Sequence, residues 1–111
     1  MIYWQQFMLE HLEGRKPQLP GDVMESWPQE TGPQSEEAWQ AVINEFLQGV
    51  DRAVQIAETA QLDESLAHFS GETKAGLLRN IASHNSYHLG EIVLLRRIYG
   101  AWPPPGGGFP A

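Results

Sequence analysis

Two histidines and a glutamate in the last third of the chain are the residues best suited to chemistry. His84 and His88 lie four residues apart, and Glu91 follows three residues later. Imidazoles at this spacing on a helix lie on one face and can hold a metal ion between them. Without a metal, imidazoles in an apolar stripe need a hydrogen-bond partner or a water. The spacing alone supports a metal site and a pair of satisfied core histidines equally well.

Glu91 shares the helix face of the two histidines. Its α-carbon lies about 10.5 Å from that of His84 along the helix axis, which is too far for both to bind one ion directly. A carboxylate in this place can orient an imidazole or hold a water on the ion, so Glu91 is a candidate for the second shell of a metal site. A purely structural role for Glu91 is equally compatible with its position.

The segment around these residues has the periodicity of an amphipathic helix with a buried face. Its apolar residues recur at intervals of three and four, which predicts a helix over 73–99 that Gly100 terminates. The predicted buried stripe consists of Leu77, Ile81, His84, His88, Ile92, Leu95 and Tyr99.

Turn-forming residues and apolar periodicity divide the rest of the chain. We predict one domain, residues 1–111, with a helix at 1–13, a loop at 14–34, a helix at 35–60, a connector at 61–72, a helix at 73–99 and an extended Pro/Gly-rich tail at 100–111. Ser35 has the side chain of a helix N-cap. The first helix has no capping residue ahead of it, so we expect that something is missing upstream. The class is all-α.

The long loop has two interpretations. Segments of this length are often lids or partner-binding elements. Alternatively, Trp27 pins a passive connector to the bundle, which is the interpretation that we favour.

Charge and composition exclude several classes of partner. The 111 residues include 14 acidic and 7 basic side chains, for a net charge of −7, so we expect no binding to nucleic acid or to anionic membranes. The chain has no cysteine, so any metal must be bound through nitrogen and oxygen. We find no membrane-spanning run and no signal peptide, and we expect a cytoplasmic protein.

Two further histidines were considered as ligands. His11 lies about 16 Å along the first helix from the position immediately before Met1. We expect its side chain to be partly exposed, and only an altered packing or a partner chain could bring it to the metal. His68 lies in the connector, where we expect a surface position.

Two stretches of the chain resemble the DinB/YfiT-like family of metal-binding four-helix proteins. The first is HNSYHLGEIVLLRRIYGAWPPPGG, which begins at His84, and the second is MIYWQQFMLEHLEGRKPQLP, which begins at Met1. The resemblance implies an up-down-down-up bundle that binds nickel or zinc through three histidines, often as a homodimer. Two of the ligands match His84 and His88. The third would stand immediately before Met1, so we expect a bundle truncated to about three helices, without the family's first helix.

The resemblance also implies a class of activity. We expect a divalent-metal-dependent hydrolase or thiol S-transferase that acts on a small molecule or a thiol, with catalytic residues that the sequence does not identify and no organic cofactor. The alternative is a non-catalytic, self-associating helical bundle with an incomplete metal site.

Overall fold

Three helices form the framework of the protein. A computed structural model describes residues 1–107, with α1 at Ile2–Leu12, α2 at Glu36–Thr59 and α3 at Lys74–Ile98. Within residues 1–107 there is no strand, only an isolated bridge between Ser65 and Thr73, so the predicted all-α class is confirmed. The loop between α1 and α2 contains a short 3-10 turn, Val23–Ser26, that the sequence analysis did not predict.

The ends of the two long helices are set by local hydrogen bonds. The predicted cap is confirmed at Ser35, whose hydroxyl accepts a hydrogen bond from the backbone N–H of Ala38 at 3.0 Å. Thr73 caps α3 in the same way, accepting from the N–H of Gly76 at 3.1 Å. Gly100 follows α3 with a φ of +69°, a left-handed conformation that stops a helix at little cost for glycine.

The core lies where α1 packs against the first half of α3. It is formed by Leu9, Leu12, Leu66, Leu77 and Ile81, with Met8, Ala53, Ile56 and Leu78 packed around it. Contacts near both ends of α1 define the helix directions. Gln5 contacts Phe46, whereas Glu13 pairs with Arg52, so α1 and α2 run parallel. Gln5 also contacts Asn85, which lies beyond the Leu77 that packs with the end of α1, so α3 runs antiparallel to both.

A buried amide joins all three helices. Gln5 is 1% exposed, and its Nε2 donates a hydrogen bond to the backbone carbonyl of Phe46 at 3.0 Å. Its Oε1 accepts a hydrogen bond from Asn85 Nδ2 at 2.7 Å. The amide reaches α2 over Gly49, where an added Cβ would overlap with Gln5 Nε2. Glycine is therefore required at position 49 by this close approach.

The predicted buried stripe is wrong for the carboxy-terminal half of α3, where the apolar side chains are exposed. Leu77 and Ile81 are 1% and 4% exposed, whereas Ile92 is 45%, Leu95 is 53% and Tyr99 is 81% exposed. The 11 residues of α1 span about 16 Å, and the 25 residues of α3 span about 37 Å, so α1 covers only part of α3.

Helix α2 has a similar apolar surface, with Trp39, Val42, Leu47 and Val54 each more than 40% exposed. None of the helices within residues 1–107 is long and apolar enough to cross a membrane.

The loop and the tail also differ from the sequence-based picture. Trp27 is 59% exposed and does not pin the loop to the bundle. The tail was predicted to be extended, but residues 104–107 form a turn in which the N–H of Gly107 donates to the carbonyl of Pro104. Trp102 lies 5.9 Å from the guanidinium of Arg97, which anchors the tail to α3. The predicted tail residues 108–111 lie outside the described part of the chain.

Substitution of Gly49 tests the buried amide. We expect Gly49→Ala to lower the free energy of unfolding by about 2–4 kcal/mol, because the methyl group displaces Gln5 from both of its hydrogen-bond partners. Gly90→Ala is the matched control. It lies within α3 with open space around the added Cβ, and we expect about 0.5–1 kcal/mol of stabilisation. Urea denaturation measures both values, and equal stability of the two variants would contradict the role assigned to Gln5.

Candidate metal centre

The predicted histidine pair is brought together on α3. The Nε2 atoms of His84 and His88 lie 3.2 Å apart, and the ring centroids are 4.6 Å apart with the planes nearly perpendicular. Both side chains are half-buried. The helical spacing therefore does more than place the two residues on one face, because it directs the same nitrogen of each ring to a common point.

Glu91 lies beside the pair, as its helical spacing predicts. Its Oε2 is 2.9 Å from Nδ1 of His88, on the side of the ring opposite Nε2. The hydrogen bonds from His88 and from the Tyr87 hydroxyl lower the pKa of the Glu91 carboxyl group, and the same carboxylate raises the pKa of Tyr87. An ionised Glu91 accepts from His88 Nδ1–H, which leaves the lone pair of His88 on Nε2.

His84 sits in a more enclosed environment than an ordinary surface histidine. Burial is the main cause of its lowered pKa, followed by repulsion from His88 and from the nearby amino group of Met1. Its Nδ1 is buried and has no hydrogen-bond partner among the described residues. The start of α1 therefore lies close to the histidine pair, and His84 favours the neutral imidazole.

The hydrogen positions follow from these contacts. With its Nδ1 proton directed to Glu91, His88 accepts at Nε2, so His84 donates Nε2–H across the 3.2 Å gap. This arrangement satisfies both Nε2 atoms without a metal. A metal requires both lone pairs, so His84 must carry its proton on Nδ1 when it acts as a ligand.

The separation of the two nitrogens also fits one metal ion. Two nitrogens bound at zinc–nitrogen distances in a tetrahedral site are about 3.3 Å apart, close to the observed 3.2 Å. Glu91 supplies the carboxylate that commonly orients a metal-binding histidine. Within residues 1–107, no group of three or more His, Asp or Glu side chains is arranged around one point. The chain thus offers two ligands and one orienting group.

The other two histidines lie away from the pair. His11 was expected to be partly exposed, but it is only 6% exposed, with its ring edge-on to Phe7 at 5.0 Å and to Phe69 at 5.3 Å. The expectation was wrong because the connector folds over the end of α1 and encloses the ring. His68 is exposed, in agreement with its expected surface position.

Asn85 and Gln5 support the site although neither was assigned a role from the sequence. Asn85 lies between the two histidines in the chain and points into the bundle, where it binds Gln5. The sequence feature that could have indicated this contact is a glutamine, Gln5, within the apolar face of α1. The partner of Gln5 on α2 is a backbone carbonyl, and side-chain types in the sequence do not indicate such a contact.

No protein-family model, no curated protein and no solved structure matches the chain.

The buried His11 predicts a pH dependence of stability. Burial, followed by repulsion from His68, lowers the pKa of His11 below its ordinary value of about 6.5. Below that pH the unfolded chain binds the proton more readily than the folded chain, so the free energy of unfolding falls as the pH falls. We expect this loss between about pH 7.5 and about pH 5.5 to be smaller in His11→Gln, because a neutral side chain does not titrate.

Urea denaturation at the two pH values measures the loss. His84 also has a lowered pKa, so part of the dependence should remain in His11→Gln. His68→Gln is the control, and it should reduce the loss less than His11→Gln does, because burial is the larger cause. An identical loss in the wild type and in His11→Gln would contradict the assignment.

Proposed function

We propose that this chain is a DinB-like protein that binds a divalent metal ion, nickel or zinc, and acts as a metal-dependent hydrolase or thiol S-transferase. The observation that carries the proposal is the convergence of His84 Nε2 and His88 Nε2 at 3.2 Å, with Glu91 on the far nitrogen of His88. The helix directions support the family resemblance, because two parallel helices followed by an antiparallel one correspond to the last three helices of an up-down-down-up bundle.

The residues of the chain have distinct roles in this proposal. His84 and His88 hold the ion, and Glu91 fixes the proton of His88 on Nδ1 so that Nε2 faces the ion. A bound divalent ion supplies Lewis acidity, which lowers the pKa of a water or thiol and makes it a nucleophile at neutral pH. Two protein ligands leave room for solvent, a substrate or a residue from another chain.

A homodimer is part of the proposal. The exposed apolar side chains of α3 after His88 form a surface that a soluble monomer rarely presents, and it continues directly from the histidine pair. A second copy on this surface would cover the apolar residues and could complete the coordination of the ion. A cytoplasmic location also belongs to the proposal, in keeping with a chain that has no cysteine.

One observation favours a second candidate function. The imidazoles satisfy each other through the Nε2–Nε2 hydrogen bond, and residues 1–107 provide no third ligand. The chain would then be a non-catalytic, self-associating helical bundle in which the histidine pair is structural.

Metal analysis separates the two functions. We expect purified, tag-free protein to hold about one nickel or zinc ion per chain or per pair of chains, measured by elemental analysis and by titration of the metal-free protein. His84→Ala and His88→Ala should lose the ion, because each removes one of two protein ligands. We expect Glu91→Ala to weaken affinity about 10–100-fold, because the tautomer of His88 is no longer fixed.

His68→Ala is the matched control, because His68 is an exposed histidine outside the pair and should leave metal binding unchanged. If the wild type binds no metal even after titration, or if His88→Ala binds as well as the wild type, the enzymatic proposal fails and the structural bundle is favoured.

The mass of the native particle tests the homodimer. Light scattering should give twice the mass of the 12.4 kDa chain, and Leu95→Asp should shift the particle towards the monomer by placing a charge in the apolar surface. Gln55→Asp on the exposed side of α2 is the control and should leave the mass unchanged. A wild-type monomer at all concentrations would rule out the association.

A further inference from the structure

An open groove of about 730 Å³ lies between the start of α1, the loop before α2 and the first turns of α2. Its size falls in the range of small-molecule sites, which is about 300–1,000 Å³. The aromatic rings of Tyr3 and Trp39 line it and are 36% and 46% exposed. Ile2 and Val42 add apolar surface between them. The groove therefore offers aromatic and aliphatic contacts that are not used in the core.

The charged side chains of the groove are acidic. Glu30 and Glu45 both line it, and neither forms an ion pair with a cation in the described part of the chain. No Lys or Arg side chain is among its lining residues within 1–107. Met1 also lines the groove, and burial lowers the pKa of its amino group. The net charge of −7 adds a negative field around the whole molecule.

We propose that this groove binds a small organic cation, an apolar molecule that carries an ammonium group. The faces of Trp39 and Tyr3 attract such a cation through their ring electrons, and Glu45 and Glu30 supply the opposite charge. The apolar part of the molecule rests on Ile2 and Val42. An anion of the same size would be repelled by the two carboxylates, and a neutral molecule would lack the charge-dependent part of the attraction.

Helix α2 places the main recognition residues in one row. Trp39, Val42 and Glu45 follow each other at intervals of three residues, so they lie along one side of the helix. The loop residues Pro28 and Pro33 also line the groove. This arrangement gives the loop between α1 and α2 a role beyond connecting the helices.

The groove is separate from the candidate metal centre, because neither His84 nor His88 lines it. The cation site needs no metal, so its test does not depend on whether the proposed function is correct.

Ligand titration of the metal-free protein tests the proposal. The probe is benzyltrimethylammonium, compared with benzyl alcohol as the neutral molecule and phenylacetate as the anion. We expect the cation to bind about tenfold more tightly than benzyl alcohol, and phenylacetate to bind least. The indole N–H signals of the four tryptophans in a nitrogen-proton correlation spectrum report the position, and that of Trp39 should shift most.

Variants identify the groups responsible. Glu45→Gln and Trp39→Leu should each weaken binding of the cation about three- to tenfold, and Glu45→Gln should reduce the preference over benzyl alcohol. Glu58→Gln and Trp102→Leu are matched controls outside the groove and should bind as the wild type does. His88→Ala should also retain binding, which separates this site from the metal. Equal binding of the three probes, no binding at millimolar concentration, or unchanged binding in both groove variants would overturn the proposal.

Discussion

The buried amide of Gln5 sets the register of the three helices. It donates to a backbone carbonyl of α2 in a partly buried hydrogen bond and accepts from Asn85 of α3 in a buried one. A buried amide that loses its partners costs about 1–3 kcal/mol, so α1 cannot slide along its neighbours without a substantial loss of stability. The apolar contacts of Leu9 and Leu77 stabilise the bundle but are less directional. The polar contact selects one alignment among several that the apolar residues would permit.

The same contact positions the candidate metal centre. Asn85 follows His84 directly and precedes His88 by three residues, so fixing its side chain inside the bundle fixes the rotation of α3. That rotation leaves both histidines half-buried at the edge of the core and places the start of α1 beside His84. Partial burial lowers the pKa of His84 and keeps the ring neutral. Neutral imidazole is the form required both for the hydrogen bond between the two histidines and for binding a metal.

The features that depend on local spacing could be predicted from the sequence. The face shared by His84, His88 and Glu91 follows from helical periodicity, and the cap at Ser35 follows from side-chain type. The features that depend on contacts between distant segments could not. The need for glycine at position 49 arises only when Gln5 crosses α2, and the burial of His11 arises only when Phe69 closes over it. The groove likewise lies between the start of α1, a loop and α2, and the sequence of any one of these segments does not indicate it.

The difference in helix length links the candidate metal centre to the exposed apolar surface. Helix α1 spans about 16 Å beside neighbours of about 36 Å, so its covering of α3 ends close to His88. Beyond that point Ile92, Leu95 and Ile98 are exposed, and among residues 1–107 no third His, Asp or Glu side chain joins the histidine pair around one point. The histidine pair and the exposed apolar residues both lie along α3 and are continuous with each other. Any element that packs on the second half of α3 would therefore bury its apolar residues and approach the two Nε2 atoms in the same step.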